Sequence, residues 1–183
     1  MQPEVEAVRQ WIQEAVINLN LCPFARPVFK HKQIRYVVQN ASDPESLLKT
    51  LQEEFDQLET QDRASLATTL IIAPGLGDFD NFLDMAYLMD HYLDQTPLRG
   101  VYQIATFHPE YQFEGADSDS VENYTNRSPL PVFHIIREDD IEQARQVYPD
   151  TESIPIKNQK KLKEMGRAKV LAMFARFDLI KPQ

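Results

Sequence analysis

The strongest constraint on the fold is an alternation of short apolar runs with longer amphipathic segments. Strand-like runs lie at residues 33–39, 67–73, 101–107 and 132–137. Apolar residues at helical spacing fill the segments between the first three runs. Strands that alternate with helices form βαβ crossovers and a parallel sheet. The sequence therefore predicts a single α/β domain over residues 1–183, with a mainly parallel four-stranded sheet and flanking helices.

Several helices can be placed from their start and stop signals. Pro3 suits the first turn of a helix over residues 3–19, and Asp43-Pro44 is a typical start for the next. Asp78 or Asp80 is predicted to cap the helix after the second strand, and Asp139 to cap a short helix after the fourth. A C-terminal helix is predicted from about Lys157 to Phe177. The buried stripe of the helix after the second strand is predicted to be Phe79, Phe82, Leu83, Ala86, Met89 and Leu93.

The net charge of −9 disfavours binding of nucleic acid by the whole surface. The charge is uneven, because the segment from Pro155 onward holds eight basic residues and two acidic ones. The preceding 154 residues hold 11 basic and 26 acidic residues, a charge of −15. A basic helix that binds phosphate or nucleic acid is one interpretation. The alternation of basic with apolar residues favours the other, a C-terminal helix that lies on an acidic body.

The composition also bears on the compartment. Cys22 is the single cysteine, so the chain forms no internal disulfide. The apolar runs are too short to span a membrane, and the first residues lack the pattern of a signal peptide. We therefore expect a cytosolic protein with no membrane partner.

Most of the chemically capable side chains lie in a long polar loop between the third and fourth strands, over residues 109–131. Long loops in compact domains are often binding or catalytic. His108 follows a strand directly, where ligands of open α/β sheets bind, and is a candidate general acid and base. Arg127 lies between turn-forming dipeptides and is a candidate anion clamp. Further candidate ligand-binding residues are Asn123, Asn126, Ser128 and Arg137.

Each candidate also has a structural interpretation. His108 could cap its strand by bonding a backbone carbonyl, and Arg127 could hold its own loop to a nearby acid. His134 lies in the middle of a strand, where a histidine is more often a satisfied core residue. Cys22 could be a nucleophile, but its flanking Leu21, Pro23 and Phe24 favour packing. Gly75-Leu76-Gly77 could present amides to a phosphate, although an ordinary turn fits the pattern better.

A metal site can also be assembled from the side chains. Nitrogen, sulfur and oxygen ligands suit zinc, so a divalent metal is conceivable as cofactor, with His108 and His134 as the first candidate ligands. Cys22 and Glu138 would complete the set. The spacing is unlike that of a CxxC or HExxH motif, and the sequence assigns no metal ligand firmly.

Several motifs resemble one known family. They are Leu21-Cys22-Pro23-Phe24-Ala25, Gln103 to Pro109, Tyr111 to Gly115, Asn123 to Pro129 and His134 to Glu138. Together they resemble the bacterial family catalogued as domain of unknown function 1415, over about residues 5–166. Tyr124, Leu130 and Glu114 depart from the residues common in that family. The resemblance implies recurring positions at Cys22, His108, Asn123, Asn126, Arg127, Ser128, His134 and Arg137, and it brings no established reaction.

Three functions are compatible with these residues. The first is an enzyme that acts on a small polar or anionic metabolite under the 109–131 loop, with His108 and Arg127 in the leading roles. The second is a metal-dependent enzyme that uses His108 and His134. The third is a non-catalytic module that binds a ligand or a protein.

Overall fold

The computed structural model describes residues 2–147 and 150–177, and it contains a four-stranded sheet with helices on both faces. The strands are β1 (Ile34–Val38), β2 (Thr68–Ile72), β3 (Tyr102–Phe107) and β4 (Val132–Arg137). The α-helices are α1 (Pro3–Trp11), α2 (Ala25–Lys30), α3 (Pro44–Thr60), α4 (Phe79–Asp94), α5 (Glu138–Val147), α6 (Ile154–Met165) and α7 (Arg167–Phe174). A π-helical segment (Ile12–Ile17) continues α1, and Val121–Thr125 and Thr151–Ser153 are 3₁₀ turns.

The sheet is mixed, with the order β1-β2-β4-β3. β1 and β2 are parallel, whereas β4 lies between β2 and β3 and is antiparallel to both. The prediction of a mainly parallel sheet is therefore wrong. The chain leaves β3 and enters β4 at the same edge of the sheet, and no crossover helix carries it to the opposite edge. A return of this kind produces an antiparallel strand.

The two long helices start where the sequence predicts. The side chain of Asp43 accepts a hydrogen bond from the backbone N–H of Ser46, and Asp78 accepts one from Asn81, each at 2.9 Å. These caps satisfy backbone donors that a helix start leaves free. Asp139, by contrast, lies within the first turn of α5 rather than at its N-cap, because the helix already begins at Glu138.

Each face of the sheet has its own hydrophobic core. Helices α3 and α4 cover one face, where Phe55, Phe82 and Phe133 are fully buried. The other face is covered by α1, its π-helical continuation, α6 and α7, and Trp11 packs there edge-on against Phe107 at 5.2 Å between ring centroids. The domain thus has three layers, with the sheet in the middle.

The predicted single C-terminal helix is two helices, because Gly166 breaks it. Gly166 has a φ of +81°, a conformation that glycine adopts far more readily than other residues. Three basic side chains of this region, Lys163, Arg167 and Arg176, pair with acids in earlier parts of the chain, as Arg176 does with Glu14 at 3.3 Å. These pairs agree with basic helices that lie on an acidic body. Lys181 lies outside the described residues, and no described helix has the length and apolar character needed to cross a membrane.

Candidate functional site

The candidate residues meet, in part, at one edge of the sheet. The register aligns Val38, Ile72 and Phe107, the last residues of β1, β2 and β3, with Val132, the first residue of β4. The segments that follow the three parallel strands therefore share the carboxyl edge with the long loop over residues 109–131. Ligands of open α/β sheets bind at this edge.

His108 is fully buried at the carboxyl edge, and both ring nitrogens have partners. Nδ1 accepts a hydrogen bond from the backbone N–H of Glu110 at 3.1 Å, so Nε2 carries the proton and donates to the carbonyl oxygen of Leu76, also at 3.1 Å. The rings of Phe79 and Phe82 pack against the imidazole. Burial lowers the pKa of His108, and the bond to Leu76 opposes that shift. In this geometry His108 ties the end of β3 to the turn after β2.

Asn123 and Asn126 organise the loop from within. The buried side chain of Asn123 accepts from the backbone N–H of Phe113 at 3.1 Å and donates to the carbonyl of Asp117 at 2.8 Å. Asn126 donates from Nδ2 to the carbonyl of Thr106, and the backbone carbonyl of Asn126 accepts from the N–H of His108. The side-chain amide of Asn123 and the Nδ2 of Asn126 are therefore directed at the backbone, whereas the Oδ1 of Asn126 lies 3.1 Å from the hydroxyl of Thr125.

Arg127 and Ser128 also bond to the backbone. Arg127 donates from Nε to the carbonyl of Tyr111 at 3.2 Å and from a terminal nitrogen to the carbonyl of Ser118 at 2.7 Å. The guanidinium stacks over the ring of Tyr124, 4.4 Å from its centroid. Ser128 is buried and donates to the carbonyl of Leu130. Arg127 thus holds its own loop, through carbonyl oxygens rather than through an acid.

The C-terminal helices fasten the loop from outside. Lys163 of α6 pairs with Glu122 at 2.6 Å, and Arg167 of α7 pairs with Asp119 at 3.5 Å. Beneath these pairs, Tyr124 packs edge-on against Phe174. The loop is consequently held between the sheet and the two basic helices.

Arg137 lies at the opposite edge of the sheet from Arg127. Arg137 is the last residue of β4 and lies five residues after Val132, which is about 17 Å along a strand. The guanidinium donates to the carbonyl of Leu58 and to the phenol oxygen of Tyr102, and that phenol donates to Glu59 at 2.5 Å. The structure therefore does not bring the two arginines together.

His134 lies in the middle of β4, between Leu70 of β2 and Ala105 of β3. The hydroxyl of Thr68 donates to the carbonyl of Ile135, so the Nε2 of His134 donates to that hydroxyl at 2.7 Å. Burial lowers the pKa of His134 to about 4. The ring is neutral near pH 7 and faces the core under α1, α6 and α7.

Cys22 stands apart from the histidines, at the turn before α2. Cys22 is partly buried and forms no disulfide. Burial raises its pKa, against the opposing effect of the backbone N–H groups of Phe24 and Ala25. No group of three or more His, Cys, Asp or Glu side chains among the described residues is placed to hold a metal ion. Cys22, His108, His134 and Glu138 are therefore not brought together.

A cleft of about 420 Å³ opens beside His108, between the starts of α3 and α4. Leu76, Met85 and Leu88 supply its apolar lining, and the remaining lining residues are Ser42, Pro44, Gly75, Asp78, Asn81 and Asp84. The carbonyl of Leu76, which accepts from His108, lies in the turn that borders the cleft. His108 thus supports the cleft without lining it.

The cleft depends on a close approach of two turns at Gly75. A Cβ atom at this position would lie 2.7 Å from the carbonyl oxygen of Asn40 and 3.3 Å from the Cβ of Ser42. Only glycine permits the turn after β2 to approach the turn after β1 this closely. Gly75-Leu76-Gly77 between a buried strand and a capped helix was the sequence signal for this region. The partner turn was not readable, because Asn40 is distant in sequence.

Comparisons with known proteins identify the family alone. The family model described as "Protein of unknown function (DUF1415)" matches residues 4–172. Neither curated proteins nor solved structures give a match to the chain. The matched segment includes the cleft, the long loop and both basic helices up to Ala172. The chain therefore belongs to the DUF1415 family.

Proposed function

We propose that this protein binds a small molecule in the cleft between α3 and α4, at the carboxyl edge of β1 and β2. The observation that carries the proposal is the position of the cleft, where the strand ends, two helix starts and the support from His108 meet. Ligand sites in α/β proteins combine an apolar lining with a few convergent polar groups at this edge. Leu76 and Met85 supply the first property here, and Asn81 and Asp84 the second.

The lining also indicates the kind of ligand. Asp84 is exposed and forms no ion pair within the described part of the chain, and the carboxylate of Asp78 already caps α4. Two carboxylates disfavour the anionic ligand expected from Arg127 and Arg137. A ligand with an amine or several hydrogen-bond donors, joined to an apolar portion, fits the cleft better.

We propose binding without turnover as the leading function. An enzyme with His108 as acid and base would have to break the bonds to Leu76 and Glu110 that occupy both imidazole nitrogens. A metal enzyme that uses His108 and His134 would need further ligands, and His134 also has its Nε2 engaged with Thr68. Binding in the cleft requires neither change. The proposal includes a cytosolic location, which rests on the single cysteine of the chain.

A thermal-shift screen against a panel of amines, nucleosides and amino acids tests the site. A ligand that binds the cleft should stabilise the unaltered chain, and should no longer stabilise Asn81→Ala or Asp84→Ala. Asp56→Ala on α3 is the matched control, since Asp56 is also exposed and lies outside the cleft lining. If the thermal shift were lost in Arg127→Ala but retained in both cleft variants, the ligand would bind at the long loop instead of the cleft. If the unaltered chain converted a ligand to product and only His108→Ala lost this activity, the enzyme with His108 as acid and base would be favoured.

A further inference from the structure

The outward face of α4 carries an unusual combination of side chains. Asp80, Leu83, Asp84 and Tyr87 follow one another at helical spacing, and all four are exposed. We call these four residues the α4 stripe. The buried side chains of the same helix, Phe82, Met85, Met89 and Leu93, point to the opposite side. The prediction that Leu83 belongs to the buried stripe is therefore wrong.

The two apolar members of the α4 stripe are strongly exposed. Leu83 is 42% exposed and Tyr87 is 77% exposed. The large hydrophobic residues exposed elsewhere in the described chain, Val101, Ile156 and Leu171, lie in separate elements. Leu83 and Tyr87 are one helical turn apart, so together they form a continuous apolar surface. A helix that is apolar on its outer as well as its inner face is typical of one that packs against something further.

The charges beside this surface indicate what kind of partner fits it. Arg99 pairs with Asp90 and Asp94 at 2.8 and 2.6 Å, so these two acids of α4 are neutralised. Asp80 and Asp84 form no ion pair with any residue of 2–147 and 150–177, and they flank Leu83 and Tyr87 on the helix surface. A partner must therefore bring both apolar side chains and positive charge.

We propose that the α4 stripe is a docking surface for a basic amphipathic helix of a partner protein. Apolar side chains of the partner would cover Leu83 and Tyr87, and its Lys or Arg side chains would pair with Asp80 and Asp84. Tyr87 is a suitable anchor, because a tyrosine ring buries a large area at little cost in conformational entropy. A second copy that used the same stripe would place carboxylates against carboxylates, which disfavours symmetric self-association.

The probe for this proposal is a synthetic helical peptide of leucine and lysine, titrated into the intact chain by calorimetry. We expect saturable binding that weakens about tenfold in the double variant Leu83→Ser/Tyr87→Ser. Ile156→Ser/Leu171→Ser removes two exposed apolar residues from the basic helices and should leave the affinity within about twofold. All four positions are exposed, so both double variants are expected to fold, and their near-ultraviolet circular dichroism checks this.

Charge variants separate docking from general attraction between a cationic peptide and an acidic protein. Asp80→Asn/Asp84→Asn should weaken binding about tenfold, whereas Glu53→Gln/Asp56→Asn on α3 removes the same charge and should have little effect. The proposal would be overturned if the two double charge variants lost the same affinity for the peptide, or if the unaltered chain showed no saturable binding. Equally tight binding of a leucine–glutamate peptide would also overturn it. Leu83 and Tyr87 do not line the cleft, so small-molecule shifts retained in Leu83→Ser/Tyr87→Ser distinguish this surface from the proposed ligand site.

Discussion

The imidazole of His108 donates a hydrogen bond to the carbonyl oxygen of Leu76, 32 residues earlier in the chain, across 3.1 Å. This bond joins the end of β3 to the turn after β2, and the packing of Phe79 and Phe82 against the ring extends the connection to α4. His108, the leading catalytic candidate in the sequence, is thus bonded to Leu76, a residue that lines the carboxyl-edge cleft. Its position supports the proposed ligand site, although both imidazole nitrogens are bonded to the backbone.

Replacement of His108 by alanine should lower the free energy of unfolding by about 2–4 kcal/mol, because it removes a packed ring and leaves the carbonyl of Leu76 unpaired. Urea denaturation measures this change. His91→Ala is the control, since His91 is exposed on α4 and only stacks on Tyr87. Similar stabilities for the two variants would show that the buried bond contributes little.

Gly75→Ala should destabilise the fold by about 1–3 kcal/mol, because the added Cβ would meet the backbone carbonyl of Asn40, which cannot move aside as a flexible side chain can. The same substitution should also abolish the thermal shift that a ligand of the cleft induces. Gly77→Ala provides a matched comparison two residues away, where a Cβ meets nothing within 4 Å. A Gly75→Ala variant as stable as Gly77→Ala would contradict the close approach of the two turns.

His134 should make the fold sensitive to acid. Its pKa is lowered to about 4 by burial, against about 6.5 in an unfolded chain, so the unfolded state binds more protons between these values. The free energy of unfolding should therefore fall as the pH drops from about 6.5 to about 4, by at most about 3 kcal/mol for a partly buried ring.

The comparison for this pH dependence is His134→Gln, which keeps a donor for Thr68 and cannot titrate. Unfolding free energies of the two proteins from pH 7 to pH 4 isolate the contribution of His134 from that of His108, whose pKa is lowered in the same direction. Parallel curves for the two proteins would show that His134 retains its ordinary pKa in the folded state.

Asn123→Ala should loosen the long loop. The substitution leaves the N–H of Phe113 and the carbonyl of Asp117 without their partner, at a cost of about 1–3 kcal/mol. Hydrogen–deuterium exchange should rise across residues 111–120 and change little in β2. Asn18→Ala is the exposed control. Unchanged exchange in the loop would mean that Arg127 and the basic helices hold it without Asn123.

Arg137→Ala should destabilise the domain but leave cleft binding unchanged. The guanidinium bonds to Leu58 and Tyr102 at the edge of the sheet opposite the cleft, so its loss should lower the free energy of unfolding by about 1–3 kcal/mol. Thermal shifts by a cleft ligand, measured relative to each protein's own midpoint, should match those of the unaltered chain. A selective loss of the ligand shift would connect Arg137 to the site after all.

The sequence by itself determined where most elements lie. The caps Asp43 and Asp78 and the apolar run of β2 are local signals, because a helix start or a buried strand is set by residues within a few positions of one another. The strand Val132–Arg137 was found on the same basis. The interior place of His134 also followed from the two-residue period of a strand.

Only the tertiary structure decided the direction of β4, the partners of His108 and the exposure of Leu83. The loop before β4 permits either direction, and the choice depends on which edge the chain returns to. His108 and Leu76 are far apart in sequence, so their hydrogen bond exists only once β2 and β3 share an edge. Leu83 has the spacing of a buried residue, yet the packing of α4 on the sheet turns it outward. Such properties depend on contacts between segments that are distant in sequence, and a local sequence pattern does not specify those contacts.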